Sequence, residues 1–228
     1  RLAVVTPSHH SPLGMALSLP RRLDLLAWAA EAGAWILEDD YDGEFHFRGR
    51  PLPALKSLDE AGRVLYAGTF SKVLLPSLRL GYLVVPRPEV ARFAAVAACL
   101  VPTAGQLEQA VVAAFMAEGH FARHLRRMRA AYRERRAALE RAIAEVFGER
   151  LRLDPRGDGM NLVAWLPPGV DDIEAARRAQ AHGMAPSPLS PWHIEARRRH
   201  ALILGFANIA PEAARHEARR LERALAGA

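Results

Sequence analysis

The chain has 228 residues, of which 50% are hydrophobic and 25% are charged, a composition typical of a globular protein with one large domain or two smaller ones. No apolar run approaches the roughly 18 residues of a membrane span, and the single cysteine, Cys99, excludes a disulfide framework and a cysteine-based zinc site. The net charge of +6 comes from an arginine bias typical of a high-GC genome, so it is a weak indicator of nucleic-acid binding. We expect a cytoplasmic protein.

The first hundred residues alternate short apolar runs with helical spacing. Strands are predicted at Leu2–Thr6, Ala34–Leu37, Val64–Ala67 and Leu80–Val85, and a helix at Pro20–Ala32 that Gly33 ends. This alternation predicts an α/β domain with a mostly parallel sheet. Because the chain starts at Arg1, directly before a strand, we expect a fragment of a longer protein.

The remaining residues have a different organisation. Helices are predicted at Pro88–Leu100, Gly105–Glu118 and Phe121–Phe147, followed by a polar boundary at Gly148–Gly159 and by strand, helix, strand and helix at Asn161–Leu166, Asp171–His182, Ala201–Phe206 and Pro211–Ala226. We therefore expect part of a large domain in residues 1–104, connecting helices in 105–147 and a small α+β domain in 148–228. Glutamates interleave with the arginines of the long helix, which favours a solvated helix over a DNA-binding one.

Only two of the 31 basic residues are lysines, Lys56 and Lys72. Arginine carries positive charge as well as lysine does, but it does not deprotonate to become an amine nucleophile. Lysines retained in so arginine-rich a chain therefore indicate amine chemistry.

Three predicted strands end in polar side chains. Ligands of open α/β sheets bind outside the carboxyl ends of the strands, so these segments are the candidate site. They are His9-His10-Ser11-Pro12, Glu38-Asp39-Asp40-Tyr41-Asp42, and Gly68-Thr69-Phe70-Ser71-Lys72 with Arg79 after it.

Two chemistries fit these segments poorly. Asp39 and Asp40 are adjacent, so on an extended strand they point to opposite faces, and the adjacent His9 and His10 cannot easily share one ion. We therefore expect no metal. A serine hydrolase is disfavoured because the chain has no G-x-S-x-G motif.

A lysine that forms a Schiff base with pyridoxal phosphate accounts for more of these residues. Lys72 would attack the aldehyde, Asp39 would hold the pyridinium nitrogen protonated, and Tyr41 would bond the ring's phenolic oxygen. Thr69, Ser71 and Arg79 would hold the phosphate, Arg79 as a bidentate partner.

The same segments resemble a known family. Glu38-Asp-Asp-Tyr-Asp-Gly-Glu-Phe45, Pro51-Leu-Pro-Ala-Leu-Lys-Ser-Leu-Asp59, Tyr66-Ala-Gly-Thr-Phe-Ser-Lys-Val-Leu-Leu-Pro-Ser-Leu-Arg-Leu-Gly-Tyr82, Thr6-Pro-Ser-His9 and His124-Leu-Arg-Arg-Met-Arg-Ala-Ala-Tyr-Arg-Glu-Arg-Arg136 are similar to the aminotransferase-like domain of the MocR regulators. These belong to the GntR transcription factors and join a winged-helix domain to a pyridoxal-phosphate-binding domain of fold type I.

The resemblance implies a definite function. It implies the C-terminal portion of the fold-type-I structure, a Schiff base at Lys72, ring contacts from Asp39 and Tyr41, and phosphate contacts from Thr69, Ser71 and Arg79. It also implies an amine or amino-acid ligand, a homodimer, and DNA binding only through an upstream winged-helix domain. The domain would sense the ligand that replaces Lys72 on the cofactor.

The sequence departs from related aminotransferases at two places. Ser11 stands before Pro12 where they usually carry an asparagine that touches the ring oxygen, which makes Ser11 a further candidate contact. Ile203 falls where they usually carry the arginine for the substrate carboxylate, which favours a sensor over an efficient transaminase. Two alternatives remain: a free-standing aminotransferase acting on amino acids, and a non-catalytic fragment used in dimer or regulator contacts.

Overall fold

The structure is a computed structural model that describes residues 1–100, 105–194 and 199–226. Contacts between residues divide it into two compact units, one of Arg1–His10 and Met15–Arg127 and the other of Ser11–Gly14 and Met128–Ala228. This division falls inside the long helix, whereas the sequence placed domain boundaries at 104 and 147.

The first unit contains a four-stranded sheet with helices. Its elements are β1 Leu2–Val5, α1 Leu19–Glu31, β2 Trp35–Asp40, α2 Leu55–Leu58, β3 Val64–Thr69, β4 Gly81–Val84, α3 Val90–Leu100, α4 Gln106–Ala117 and the start of α5, His120–Phe147. The strand order is β1-β2-β3-β4, with β1, β2 and β3 parallel and β4 antiparallel to β3. The predicted mostly parallel sheet is thus confirmed, and Gly33 follows the end of α1 with φ of 60°.

The core of this unit lies on one face of the sheet. Ile36 and Val64 are fully buried there and pack with Ala29 of α1 and Leu55 of α2. Because side chains alternate along a strand, the residues next to Ile36 in β2 and next to Val64 in β3 point to the opposite face of the sheet.

Both central strands are longer than predicted. β2 continues from Leu37 through Asp40, and β3 continues from Ala67 through Thr69. The apolar pattern ends earlier, but Asp39 still pairs with Ala67 and Asp40 with Gly68. Strand pairing uses the backbone, so polar side chains at the end of a strand do not stop it.

The second unit holds a four-stranded sheet and the rest of α5. Its elements are β5 Arg152–Leu153, β6 Asn161–Trp165, α6 Asp172–Ala181, β7 Ser187–Pro188, β8 Ala201–Gly205 and α7 Ala214–Leu225. The strand order is β5-β6-β8-β7 and every pair is antiparallel. Val163 and Ala201 pack with Leu189 in its core. The two-residue strands β5 and β7 and the short helix α2 have no periodicity that sequence reasoning could detect.

Candidate cofactor site at the carboxyl ends of the first sheet

The carboxylates at the end of β2 point in alternate directions and have different surroundings. Glu38 is fully buried and accepts hydrogen bonds from the backbone N–H groups of Leu55 and Lys56, each at 2.8 Å. Burial raises the pKa of the Glu38 carboxyl above its ordinary value, and these two bonds only partly counteract it. Glu38 therefore fixes the start of α2 beneath the site and is not available to a ligand.

Asp40 lies on the same face of β2 as Glu38. Its carboxylate accepts hydrogen bonds from the Tyr66 hydroxyl at 2.8 Å and from the Gly43 N–H at 3.1 Å. The Tyr82 ring lies beside this pair, and a Cβ atom on Gly68 would approach that ring to 2.2 Å. Position 68 therefore requires glycine, and Asp40 belongs to a packed polar network.

Asp39 lies on the opposite face and is exposed. Partial burial raises the pKa of its carboxyl, and the nearby charges of Asp40 and Asp42 raise it further. The charged form of the carboxylate is thus less favourable here than in water, and a nearby cation would stabilise it. The predicted separation of Asp39 from Asp40 by strand face agrees with the register of β2 and β3.

Tyr41 follows β2 and is half-buried. Its hydroxyl donates a hydrogen bond of 2.9 Å to the backbone carbonyl of His9, in the loop after β1. The next residue, Asp42, accepts a hydrogen bond of 2.8 Å from Nδ1 of His9, and both side chains are buried. The loops after β1 and β2 are therefore joined at two points.

The predicted phosphate group and the lysine lie in one turn after β3. The Thr69 hydroxyl accepts the N–H of Ser71 at 3.1 Å, and the N–H of Leu74 bonds the carbonyl of Phe70 at 2.9 Å. The N–H of Phe70 bonds the carbonyl of Leu80, the residue after Arg79, also at 2.9 Å. This backbone pairing brings the Arg79 segment beside the turn that carries Ser71 and Lys72.

The N-terminal end of α5 contacts the turn that carries Lys72. Nε2 of His124 donates a hydrogen bond of 2.9 Å to the carbonyl of Val73, which is buried. The Phe70 ring meets the Phe121 ring edge-on, with centroids 6.0 Å apart. The residue after Lys72 is therefore fixed, while Lys72 itself is exposed.

Arg79 has an unusual backbone. It adopts φ of 48° and ψ of 33°, and it is the one residue other than glycine in the described chain with positive φ. A left-handed conformation costs a residue with a Cβ atom about 1 kcal/mol, and such residues concentrate at functional sites. The strained backbone thus occurs at Arg79, which the sequence analysis named as a candidate phosphate ligand.

The two lysines differ sharply. Nζ of Lys56 donates to the carbonyl of Val64 at 2.8 Å and pairs with Oδ2 of Asp59 at 3.4 Å. Within the described residues, Lys72 has neither a hydrogen bond nor an ion pair through its side chain. Lys56 thus has a structural role, whereas Lys72 is exposed and its side chain is unpartnered in the described part of the chain.

Ser11 and Ile203 fall in the second unit. Ser11 is half-buried. Ile203 lies in the middle of β8, where it pairs with Val163 and Ser187 and packs against the core of that unit. The structure thus describes an apolar, packed side chain at the position where related aminotransferases usually carry an arginine.

Sequence reasoning gave His9 and Asp42 no individual role in the site, and it did not weigh Arg22. Arg22 is buried and donates to the backbone carbonyls of Leu17, Pro53 and Pro7 at 2.9, 2.7 and 2.7 Å. The signal that could have identified Arg22 is its place in α1 on the same face as the apolar Ala29, where a charged residue needs hydrogen-bond partners. Its bonds tie the loop after β1 to the segment before α2.

Known proteins are similar to this chain over most of its length. Residues 1–199 match the family of class I and II aminotransferases. The probable rhizopine catabolism regulatory protein MocR of Rhizobium meliloti is 42% identical over 215 residues, which are 94% of this chain and 44% of that protein. The HTH-type transcriptional regulator TauR of Rhodobacter capsulatus is 42% identical over 230 residues, which are 99% of this chain and 46% of that protein.

A solved structure has the same fold. LysN, an α-aminoadipate aminotransferase from Thermus thermophilus, superposes with a TM-score of 0.85 and 32% sequence identity, over 98% of this chain and 58% of LysN. The chain thus spans about half the length of the curated relatives it matches. In the described part of the chain, no helix is both long and apolar enough to cross a membrane. The predicted resemblance to MocR-type regulators and the predicted fold-type-I portion are confirmed, and the chain belongs to the aminotransferase class I and II family.

Proposed function

We propose that this chain is the pyridoxal-phosphate-binding part of a MocR-type regulator and that Lys72 forms the covalent bond to the cofactor. The observation that carries the proposal is the contrast between the two lysines. The ammonium of Lys56 is held by Val64 and Asp59, whereas Lys72 is exposed, has no hydrogen-bonding or ionic partner among the described residues and sits on a fixed turn.

The donor set fits the cofactor group by group. Asp39 offers a carboxylate whose raised pKa a pyridinium N–H⁺ would lower. The hydroxyls of Thr69 and Ser71 and the guanidinium of Arg79 supply hydrogen-bond donors and positive charge for a phosphate. When bound, the cofactor supplies an electron sink for bonds at the carbon of an attached amine. Asp39 sustains this property by keeping the ring nitrogen protonated.

A sensing role is supported by two observations. MocR and TauR are named as regulators, and both are 42% identical to this chain. Ile203 is apolar and packed, so β8 offers no cation to a substrate carboxylate at that position. We therefore propose that an amine or amino acid displaces Lys72 on the cofactor, and that a separate winged-helix domain of a homodimer carries the response to DNA.

The covalent bond is tested by reduction with borohydride in the full-length protein. We expect the yellow cofactor to become fixed on the peptide that contains Lys72. Lys72→Arg should abolish the adduct, while the matched Lys56→Arg should retain it. An adduct on Lys56, or no adduct in the unmodified protein, would overturn the assignment.

A single-turnover assay separates the sensor from an aminotransferase. The relatives include the aromatic-amino-acid aminotransferase 1 of Thermococcus litoralis, which is 28% identical over 222 residues. We expect amines or amino acids to change the absorption of the bound cofactor quickly, while conversion to the aminated cofactor stays slow. Fast conversion with ordinary α-amino acids would establish the enzyme instead.

A further inference from the structure

The loop after β1 contains a buried histidine with one ring nitrogen that the fold does not satisfy. The His9 side chain is only 2% exposed, and its Nδ1 lies 2.8 Å from Oδ1 of Asp42. An ionised carboxylate can only accept a hydrogen bond, so Nδ1 carries the proton and donates it. Nε2 of His9 is buried and has no hydrogen-bond partner within the described residues. Buried polar atoms nearly always have a partner, so this nitrogen requires an explanation.

Neither protonation state of His9 satisfies Nε2 from the described part of the chain. If His9 is neutral, Nδ1 holds the proton and Nε2 presents a lone pair that no described group donates to. If His9 is cationic, Nε2 carries an N–H that no described group accepts. A metal ion accounts for the first state, because the free nitrogen of a neutral imidazole is the commonest metal ligand among side chains.

The Asp42 carboxylate orients His9 as a metal ligand would be oriented. Histidines that bind metals almost always donate their other ring N–H to a carboxylate, a backbone carbonyl or water. Such a bond fixes the tautomer and the direction of the ring, and it makes the second nitrogen more basic. The buried bond between His9 and Asp42 has this arrangement, with Asp42 on Nδ1 and with Nε2 left for an ion.

A second imidazole lies beside the first. The His46 ring lies against the His9 ring, with centroids 5.8 Å apart, and ring nitrogens of the two residues are within 4.8 Å of one another. Nitrogen ligands bind zinc at about 2.0–2.1 Å, so two ligands of one tetrahedral ion are about 3.4 Å apart. Both nitrogens therefore reach one ion if the His46 ring moves by at most about 1.5 Å. Among the histidines, sequence reasoning considered only the adjacent His9 and His10, which cannot easily share an ion.

We propose that His9 and His46 bind a divalent transition-metal ion of the zinc type, with Nε2 of His9 as one ligand and a ring nitrogen of His46 as another. Imidazole suits zinc, copper and nickel, whereas magnesium and calcium prefer oxygen ligands. Water completes the coordination of the ion. The ion joins the loop after β1 to the segment after β2. It makes no use of Lys72, so the site does not depend on the proposed cofactor.

Calorimetric titration with Zn²⁺ tests the site in the full-length protein, after a chelator has removed any metal. We expect one Zn²⁺ ion per chain that binds in the unmodified protein and is lost in His9→Ala, because this variant lacks the buried nitrogen. His46→Ala should weaken the binding of this ion at least tenfold. The matched control is His10→Ala, which should change nothing, because His10 is exposed and bonds Thr6 at 3.0 Å between Nδ1 and Oγ1.

Asp42→Asn tests the outer hydrogen bond while both histidines remain. An amide oxygen is a weaker acceptor than a carboxylate, and changes to such outer partners typically cost 10- to 100-fold in metal affinity. We therefore expect Zn²⁺ affinity to fall by that factor. If His9→Ala does not fold, as judged by circular dichroism, His46→Ala and Asp42→Asn decide the question.

Two results would overturn the metal site. One is the absence of Zn²⁺ binding by the unmodified protein, and the other is binding that stays unchanged in the folded variants of His9, His46 and Asp42. Loss of the ion in His10→Ala as well would mean that it binds exposed histidines and not the buried pair. Borohydride labelling of Lys72 is measured separately, so the metal site and the proposed function can fail independently.

Discussion

The two sheets of this protein differ in how far their side chains are buried. In the first sheet one face packs on α1 and α2, while the other leaves Leu2, Val4 and Leu83 more than half exposed. In the second sheet the central strands β6 and β8 are mostly buried, and their core includes Leu189. The first sheet thus leaves one face accessible to solvent, whereas the central strands of the second sheet are covered.

The carboxylates make this difference concrete. In the first unit burial raises the pKa of Glu38 and Asp39, and the available hydrogen bonds do not compensate. In the second unit burial also raises the pKa of Asp172, but hydrogen bonds from Ser190, His200 and Ala201 outweigh it and the pKa lies below its ordinary value. Asp172 and Glu38 are buried carboxylates whose hydrogen bonds serve the fold. Asp39 is an exposed carboxylate at a sheet edge with a raised pKa, a combination typical of a binding site.

The largest expected effect comes from removing the carboxylate of Asp172, which has several hydrogen-bond donors. Asp172 is fully buried and accepts the N–H groups of Leu189 and Ser190 at 2.9 and 2.7 Å, as well as Nδ1 of His200. Asp172→Ala leaves these donors buried without a partner, so we expect the unfolding free energy to fall by about 3–5 kcal/mol. Urea unfolding measures the loss, and amide hydrogen exchange should accelerate at positions 189 and 190.

The adjacent Asp171 provides the control. Its side chain caps α6 by accepting the N–H of Glu174 at 2.9 Å, so Asp171→Ala should cost only about 1 kcal/mol. A loss of similar size in both variants would contradict the assigned role of Asp172.

The next effect contrasts two neighbours in the first sheet. Asp39→Asn removes the carboxylate charge that we propose faces the cofactor, so we expect cofactor affinity to fall about 10- to 100-fold with little change in the urea midpoint. Asp40→Asn weakens the bonds from Tyr66 and Gly43, so we expect a loss of about 1–2 kcal/mol in unfolding free energy with a smaller change in affinity. The reverse order would mean that the register assigned to β2 is wrong.

The smallest expected effect is on the free energy of unfolding at acid pH. It has opposite signs for one carboxylate of each unit, Asp154 and Glu38. Hydrogen bonds from Arg156 lower the pKa of Asp154 to about 2, so its contribution to stability is present above about pH 4 and is lost as pH falls toward 2. The pKa of Glu38 is raised, so its contribution is fully present below its ordinary value and is lost as pH rises through the folded-state pKa.

Urea unfolding at pH 5 and pH 3 compares these two carboxylates. Asp154→Asn should lose about 1 kcal/mol less stability on acidification than the unmodified protein, and Glu38→Gln should lose more stability than the unmodified protein. Shifts of the same sign in both variants would show that the two units do not differ in this way.

Much of the first sheet was predictable because its strands are short apolar runs bounded by glycine, proline and charge. The segments with Asp39, Thr69, Ser71, Lys72 and Arg79 could be selected because residue type and position after a strand already define the chemistry. The ends of β2 and β3 were missed, since pairing between strands continues beyond the apolar side chains. The bond between His9 and Asp42 joins residues far apart in the chain, and no local pattern encodes it.

The sequence by itself determined the family, the mostly parallel first sheet and the small set of candidate side chains, because these depend on residue type and local spacing. Only the tertiary structure decided that, among the described residues, the side chain of Lys56 has partners and that of Lys72 has none. Lys56 and Lys72 are chemically identical, and what separates them is a carbonyl from β3 and a carboxylate that fold back onto one and not onto the other. These partners come close to the lysine only when the chain folds, so composition and periodicity do not predict them.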